Sequence, residues 1–295
     1  MQVQANGIPI EVEDSGGSGP AVLLVMGLGM QLTGWPDDFC HGLVARGYRV
    51  VRFDNRDCGL SGRAIGKRRA NLVLAMAAAA LGLPVKTPYT LADMAADALG
   101  LMDRLGIARA HVVGASMGGM IAQVLAAEHP ERVLSLTSIM STSGNRRVSR
   151  PTPAARKVLL ARPGDPKDTD AVIEHLVEAF GVIGSPAYPS TREELRQRVG
   201  RSVRRAYDPA ATARQLLAII AAGDRRKQLR RIVAPTLVIH GAEDPLVPLA
   251  AGRDTARQIT GAVLLVIPGM GHDLPPALLP QLVSAIADHC ERSGR

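Results

Sequence analysis

Short continuous apolar runs alternate with segments of helical spacing along most of this chain, and no other feature restricts its fold as strongly. The runs are Ala21 to Met26, Tyr48 to Phe53, His111 to Gly114, Val133 to Met140, Thr236 to His240 and Ala262 to Ile267. Each has the length of a strand buried on both faces. Between and after them, Asp37 to Arg46, Thr90 to Leu105, Met117 to Glu128, Leu249 to Gln258 and Leu278 to Cys290 read as helices, with Thr90 and Asp93 spaced as a capping box. Strand–helix alternation of this kind predicts a mostly parallel sheet with helices on both faces. At the N-terminus, Gln2 to Ala5 and Ile8 to Glu13 alternate about Asn6-Gly7, the pattern of a β-hairpin. The alternation lapses between 145 and 231, where the chain is helix-like and rich in Arg, Ala and Pro. The expected organisation is therefore a core of 1–144 and 232–295 interrupted by a helical cap, 145–231.

The formal charge of +8 and a pI near 9.9 suggest an anionic partner at first sight. Residues 145–231 hold 19 of the 35 Lys and Arg but only 9 of the 27 Asp and Glu, so the surplus belongs to the cap and the remainder is nearly neutral. With 3% aromatic residues there is little on which to stack bases, so no nucleic-acid partner is expected. The three cysteines are far apart and in no metal-binding spacing, which fits a reducing compartment. Residues 1–19 lack the basic-then-apolar layout of a signal peptide. The longest apolar run, Leu72 to Leu83, is shorter than the roughly 18 to 20 residues of a membrane span. A soluble cytoplasmic protein, with no stable membrane insertion, is the expectation. Oligomeric state is open.

Gly114-Ala115-Ser116-Met117-Gly118 lies between a predicted strand and a predicted helix, the context in which a G-x-S-x-G turn exposes its serine. A serine helix cap with glycines for packing is the plainer reading of the same residues. As a nucleophile, Ser116 would need a base and the base a carboxylate. Of seven histidines, His272 alone sits in a glycine-rich loop directly after a strand, Pro268 to His272. Asp244 follows the preceding strand and is favoured by loop position over its rivals Glu243 and Asp273. Two backbone N–H groups should receive the oxyanion: Met117, next to the nucleophile, and Leu28, in the Gly27 to Met30 turn. Met30, Met117 and Met270 stand on or beside these loops and could form an adaptable apolar pocket, or merely fill gaps beneath it. Trp35 is a further pocket candidate whose plainer role is packing. The stretch 67–83, basic and then apolar, is a candidate lid or lipid-touching patch, against the plainer reading of a packed helix.

Taken together, VLLVMGLG, GWPDDF, VVRFDNRDCGLS, HVVGASMGGMIAQ, PTLVIHGAEDPLVP and IPGMGHDLP resemble the α/β-hydrolase superfamily, most closely its aclacinomycin-methylesterase-like serine esterases. The resemblance implies that fold, with Ser116 as nucleophile, His272 as general base, Asp244 as its orienting acid, and Leu28 and Met117 as the oxyanion hole. The expected reaction is ester hydrolysis through an acyl-enzyme, without cofactor or metal; family membership does not fix the substrate, and it is the methionines beside the loops that point to small to medium apolar esters. Met26-Gly27 stands where many relatives have His-Gly, which leaves the supporting contacts of that turn open. The same triad could serve an iminopeptidase, an amidase or a cofactor-free perhydrolase, and a non-catalytic ligand receptor is a further alternative on this scaffold.

Overall fold

Among the described residues eight strands form one sheet, most of it parallel as the alternation predicts. The computed structural model describes residues 1–63, 71–161, 164–165 and 167–294. Strands β1 (Gln2–Ala5), β2 (Ile8–Asp14), β3 (Ala21–Val25), β4 (Arg49–Phe53), β5 (Ala110–Ala115), β6 (Val133–Ile139), β7 (Thr236–Gly241) and β8 (Val263–Ile267) lie in the order β1-β2-β4-β3-β5-β6-β7-β8. β1 pairs antiparallel with β2, and β2 with β4; every later pairing is parallel.

The helices are α1 (Asp37–Ala45), α2 (Leu72–Ala80), α3 (Leu91–Arg104), α4 (Met117–Glu128), α5 (Pro153–Leu160), α6 (Thr169–Ile183), α7 (Arg192–Arg205), α8 (Pro209–Ala222), α9 (Arg226–Leu229), α10 (Leu249–Gln258) and α11 (Leu279–Ser293). The Thr90 and Asp93 capping box opens α3 as expected. Side chains on a strand point alternately to the two faces. Leu23 and Val25 accordingly join the core under α3 and α4, while Val22 and Leu24 join the one under α1 and α11. Burial on both faces is why these strands read as unbroken apolar runs.

Between β6 and β7 the described residues form helices α5 to α9 and no strand. α6 and α7 share a small core of their own, Ile173, Val177, Leu195 and Val199. Of the candidate lid, 67–70 lies outside the described residues. Its apolar part forms α2, which buries Ala75 and Ala79, while Val73, Leu74 and Met76 and the following Leu81 and Leu83 are exposed. Among the described residues no helix is long and apolar enough to cross a membrane.

Chain order places the site. From β3 the chain runs to β4 on one side and then crosses to β5 on the other, so the C-terminal ends of β3 and β5 meet where the strand order reverses. Parallel sheets bind ligands at such a point. At the opposite, N-terminal end of β5, His111 is buried with Nδ1 2.8 Å from Ser135 Oγ, and burial pushes its imidazole down from 6.5 to about 4. The unfolded chain therefore binds this proton at a higher pH than the native one. Stability should be full above pH 6.5 and fall by roughly 3 kcal/mol as the pH drops towards 4. Denaturant titrations at several pH values should show a flatter profile for His111→Asn, which retains a partner for Ser135 and does not titrate.

Candidate active site

The turn from β5 into α4 holds Ser116 at φ 53° and ψ −118°, a left-handed conformation that a residue with a side chain adopts only under strain of order 1–3 kcal/mol. What enforces it is close packing. A Cβ at Gly114 would lie 2.2 Å from the Gly118 carbonyl oxygen, and one at Gly118 would lie 1.9 Å from that of Val25. Only glycine lets the helix start this close to both strands. The backbone is also tied from β6, since Ser116 N–H donates to Ile139 O at 2.9 Å and Ser141 Oγ donates to Ser116 O at 2.8 Å.

Into this corner the loop after β8 brings His272. Its Nε2 lies 3.0 Å from Ser116 Oγ, and its Nδ1 lies 2.7 Å from Asp244 Oδ2 in the loop after β7. A carboxylate only accepts, so Nδ1 carries the proton and Nε2 presents its lone pair to the serine hydroxyl. The other oxygen of Asp244 accepts the N–H groups of Leu246 and Val247 at 2.9 and 2.8 Å, which fixes the carboxylate plane. Behind it, buried His240 donates from Nε2 to Val247 O at 2.7 Å; burial lowers its pKa and keeps it neutral. The rivals to Asp244 are engaged elsewhere. Glu243 accepts from Gly269 N–H at 2.5 Å, and Asp273 accepts from Ser185 Oγ. Burial pushes the Asp273 carboxyl up in spite of the charge of Arg198.

The turn after β3 runs directly beside Ser116, for a Cβ at Gly27 would stand 3.7 Å from its Oγ. Among the described residues Leu28 N–H donates to no acceptor, although Gly29 N–H and Met30 N–H both do. Met117 is the first residue of α4, where a helix leaves its N–H groups without internal partners. The Met26 departure is resolved by burial: its side chain packs against Gly34, and Asn55 Nδ2 donates to its carbonyl at 2.8 Å.

The pocket expectations are corrected at Trp35 and at two of the three methionines, Met117 and Met270, whose side chains are fully buried. Trp35 stacks on Phe39 with centroids 5.2 Å apart, and both Trp35 and Met270 are 0% exposed, so neither has surface to offer a substrate. Met30 is half-buried and Met117 is fully buried.

Contacts from 145–231 were not legible in the sequence. At the end of α6, Ile183 O accepts His272 N–H at 2.7 Å, and Ser185 Oγ accepts Gly271 N–H at 2.9 Å. On the other side, Gln31 Nε2 donates to Ser202 O and Ala206 O at 2.6 and 2.7 Å. Arg205 Nη1 reaches Gln31 Oε1 at 2.6 Å and buried Asp54 at 2.7 Å, and Arg214 makes two 2.8 Å bonds to Asp57. Nothing in the local pattern around these residues marks them, because their role depends on how the insertion docks.

Residues 20–275 match the α/β hydrolase fold family, and the chain belongs to it. It is 30% identical to the rhodomycin D methylesterase of Streptomyces peucetius over 285 residues, covering 91% of this chain and 90% of that protein. It is 31% identical to a pimeloyl-[acyl-carrier protein] methyl ester esterase of Chromobacterium violaceum, over 62% of this chain and 70% of that one. Among solved structures, a meta-cleavage product hydrolase of Pseudomonas fluorescens superposes with a TM-score of 0.76 at 20% identity, covering 99% of this chain and 98% of that one.

The packing of the turn from β5 into α4 can be tested by stability alone. Gly118→Ala must push against backbone, and should cost about 3 kcal/mol or more in a denaturant titration. Gly181→Ala, which would meet nothing within 4 Å, should leave stability within about 0.5 kcal/mol of the parent or raise it.

Proposed function

We propose that the protein is a serine hydrolase that cleaves small to medium apolar carboxylic esters, with a small alcohol as leaving group. The observation that carries this is the line of contacts from Asp244 through His272 to Ser116, 2.7 and 3.0 Å long. His272 Nε2 takes the hydroxyl proton as Ser116 Oγ attacks the ester carbonyl, and Asp244 stabilises the imidazolium that forms. The N–H groups of Leu28 and Met117 receive the negative charge that develops on the carbonyl oxygen. His272 then passes its proton to the leaving alkoxide, which departs as the alcohol. Water, deprotonated by the same imidazole, attacks the acyl-serine, and the imidazolium returns that proton to Ser116 Oγ as the acid leaves. Atoms and protons balance with serine, histidine, carboxylate and water alone.

Two of the relatives named above are esterases of methyl esters, which supports a small leaving alcohol. We assign 145–231 as the cap over Ser116, supported by the absence of strands among its described residues, the separate α6–α7 core and its bonds to both sides of the site. Met30 is the remaining pocket candidate. A cytoplasmic setting is supported by three unpaired, buried thiols whose pKa values burial raises to about 11 at Cys40 and about 12 at Cys58 and Cys290.

The test is hydrolysis of p-nitrophenyl acetate. Ser116→Ala and His272→Ala should each lower kcat by about 10⁴-fold or more, and Asp244→Asn by about 10³- to 10⁴-fold, since the amide no longer enforces the productive tautomer. A fluorophosphonate should label the parent and not Ser116→Ala. Hydrolysis retained by Ser116→Ala would overturn the assignment.

A further inference from the structure

The anchor that α8 drops onto the turn after β3 does more than hold two parts of the chain together. Gln215 is fully buried, and both ends of its amide are engaged. Oε1 accepts Gly29 N–H at 2.8 Å, and Nε2 donates to Arg56 O at 2.8 Å. Inverting the amide would set donor against donor at Gly29 and acceptor against acceptor at Arg56, so one orientation is enforced. α8 itself is held in place one residue earlier by the paired bonds of Arg214 to Asp57.

The turn it holds has little freedom left. Met30 N–H closes on Gly27 O at 3.2 Å, which makes Leu28 and Gly29 the central residues of a β-turn. Gly29 has φ +65°, and a Cβ there would meet Thr212 of α8 at 3.0 Å. With the turn closed and the Leu28–Gly29 peptide plane fixed by Gln215, the preceding peptide, which carries Leu28 N–H, has one direction.

We propose that Gln215 is a positioning residue: by holding Gly29 N–H, it aims Leu28 N–H at the place where the carbonyl oxygen becomes an oxyanion. The inference rests on the reading of Leu28 as an oxyanion donor. It makes the cap a working part of the catalytic apparatus as well as its cover. Loss of one oxyanion donor costs about 10²- to 10³-fold in kcat, and misdirecting a donor that is still present should cost about 10- to 100-fold.

The experiment compares Gln215→Met, Gln215→Asn and Gln215→Glu in the full chain. It measures kcat and KM for p-nitrophenyl acetate and affinities for a trifluoromethyl ketone, which forms a tetrahedral adduct with serine, and for acetate, the product. Gln215→Met has the length but no comparable acceptor. It should lose about 10- to 100-fold in kcat and in ketone affinity, with KM and acetate affinity within about threefold of the parent. Gln215→Glu keeps an acceptor for Gly29 N–H but sets a second one against Arg56 O unless its carboxyl is protonated, and should recover part of both. Wild-type kcat and ketone affinity in a folded Gln215→Met protein would overturn the proposal, as would equal weakening of ketone and acetate, the mark of a packing role alone. Gln215→Asn, too short to reach Gly29, is held to the same two outcomes if the methionine variant does not fold. Ser116→Ala in the same assay separates the two levels. Hydrolysis that survives it overturns the serine-hydrolase reading itself, whereas its loss beside silent Gln215 variants overturns only the role of Gln215.

Discussion

The close approach of the first turn of α4 to the end of β3 is the constraint on which the site depends. A helix beginning within 2 Å, in Cβ terms, of a strand carbonyl leaves no room for a side chain at Gly118. That closeness drives Ser116 into a left-handed conformation and brings the Gly27 turn against it. Ser116, helix N-terminus and glycine turn thus converge through backbone packing alone. The strain at one residue is offset by the sheet around it, because β3, β5 and β6 are buried on both faces and their parallel ladders admit little adjustment.

The second element of order is the way 145–231 grips both sides of that corner. The end of α6 holds the histidine loop through Ile183 and Ser185, while α7 and α8 hold the glycine turn and the loop after β4 through Arg205, Arg214 and Gln215. These bonds also reinterpret the charge. Arg205 and Arg214 are spent on Asp54 and Asp57 of the core, and Arg225 is buried, donating to Gln123 Oε1 and Thr142 O. Part of what reads as a basic surplus in 145–231 is therefore one half of an internal set of contacts. A charge count by region shows where arginines are, and their partners show what they do.

Much of this was legible in sequence because it rests on local rules. Period and length marked every strand, and strand–turn–helix context singled out Ser116. Placement in loops after adjacent strands separated Asp244 and His272 from their rivals, since parallel strands deliver those loops to one edge. The pocket was less legible. Trp35 and Met270 have the composition of pocket residues, yet burial in the core beneath the loops removes them from it. Whether an apolar side chain faces a ligand or a neighbouring helix is set by packing that no short window contains.

The sequence by itself determined the sheet and its helices, which follow from periodicity, and it picked out Ser116, Asp244 and His272 as candidates from the turn and loops that carry them. Only the tertiary structure decided which N–H groups are held, which acids are engaged elsewhere and which residues of the insertion reach the site. Gln215 meets Gly29 across 186 positions of sequence. The docking of helices onto a sheet, not the residues flanking either partner, sets a contact of that range.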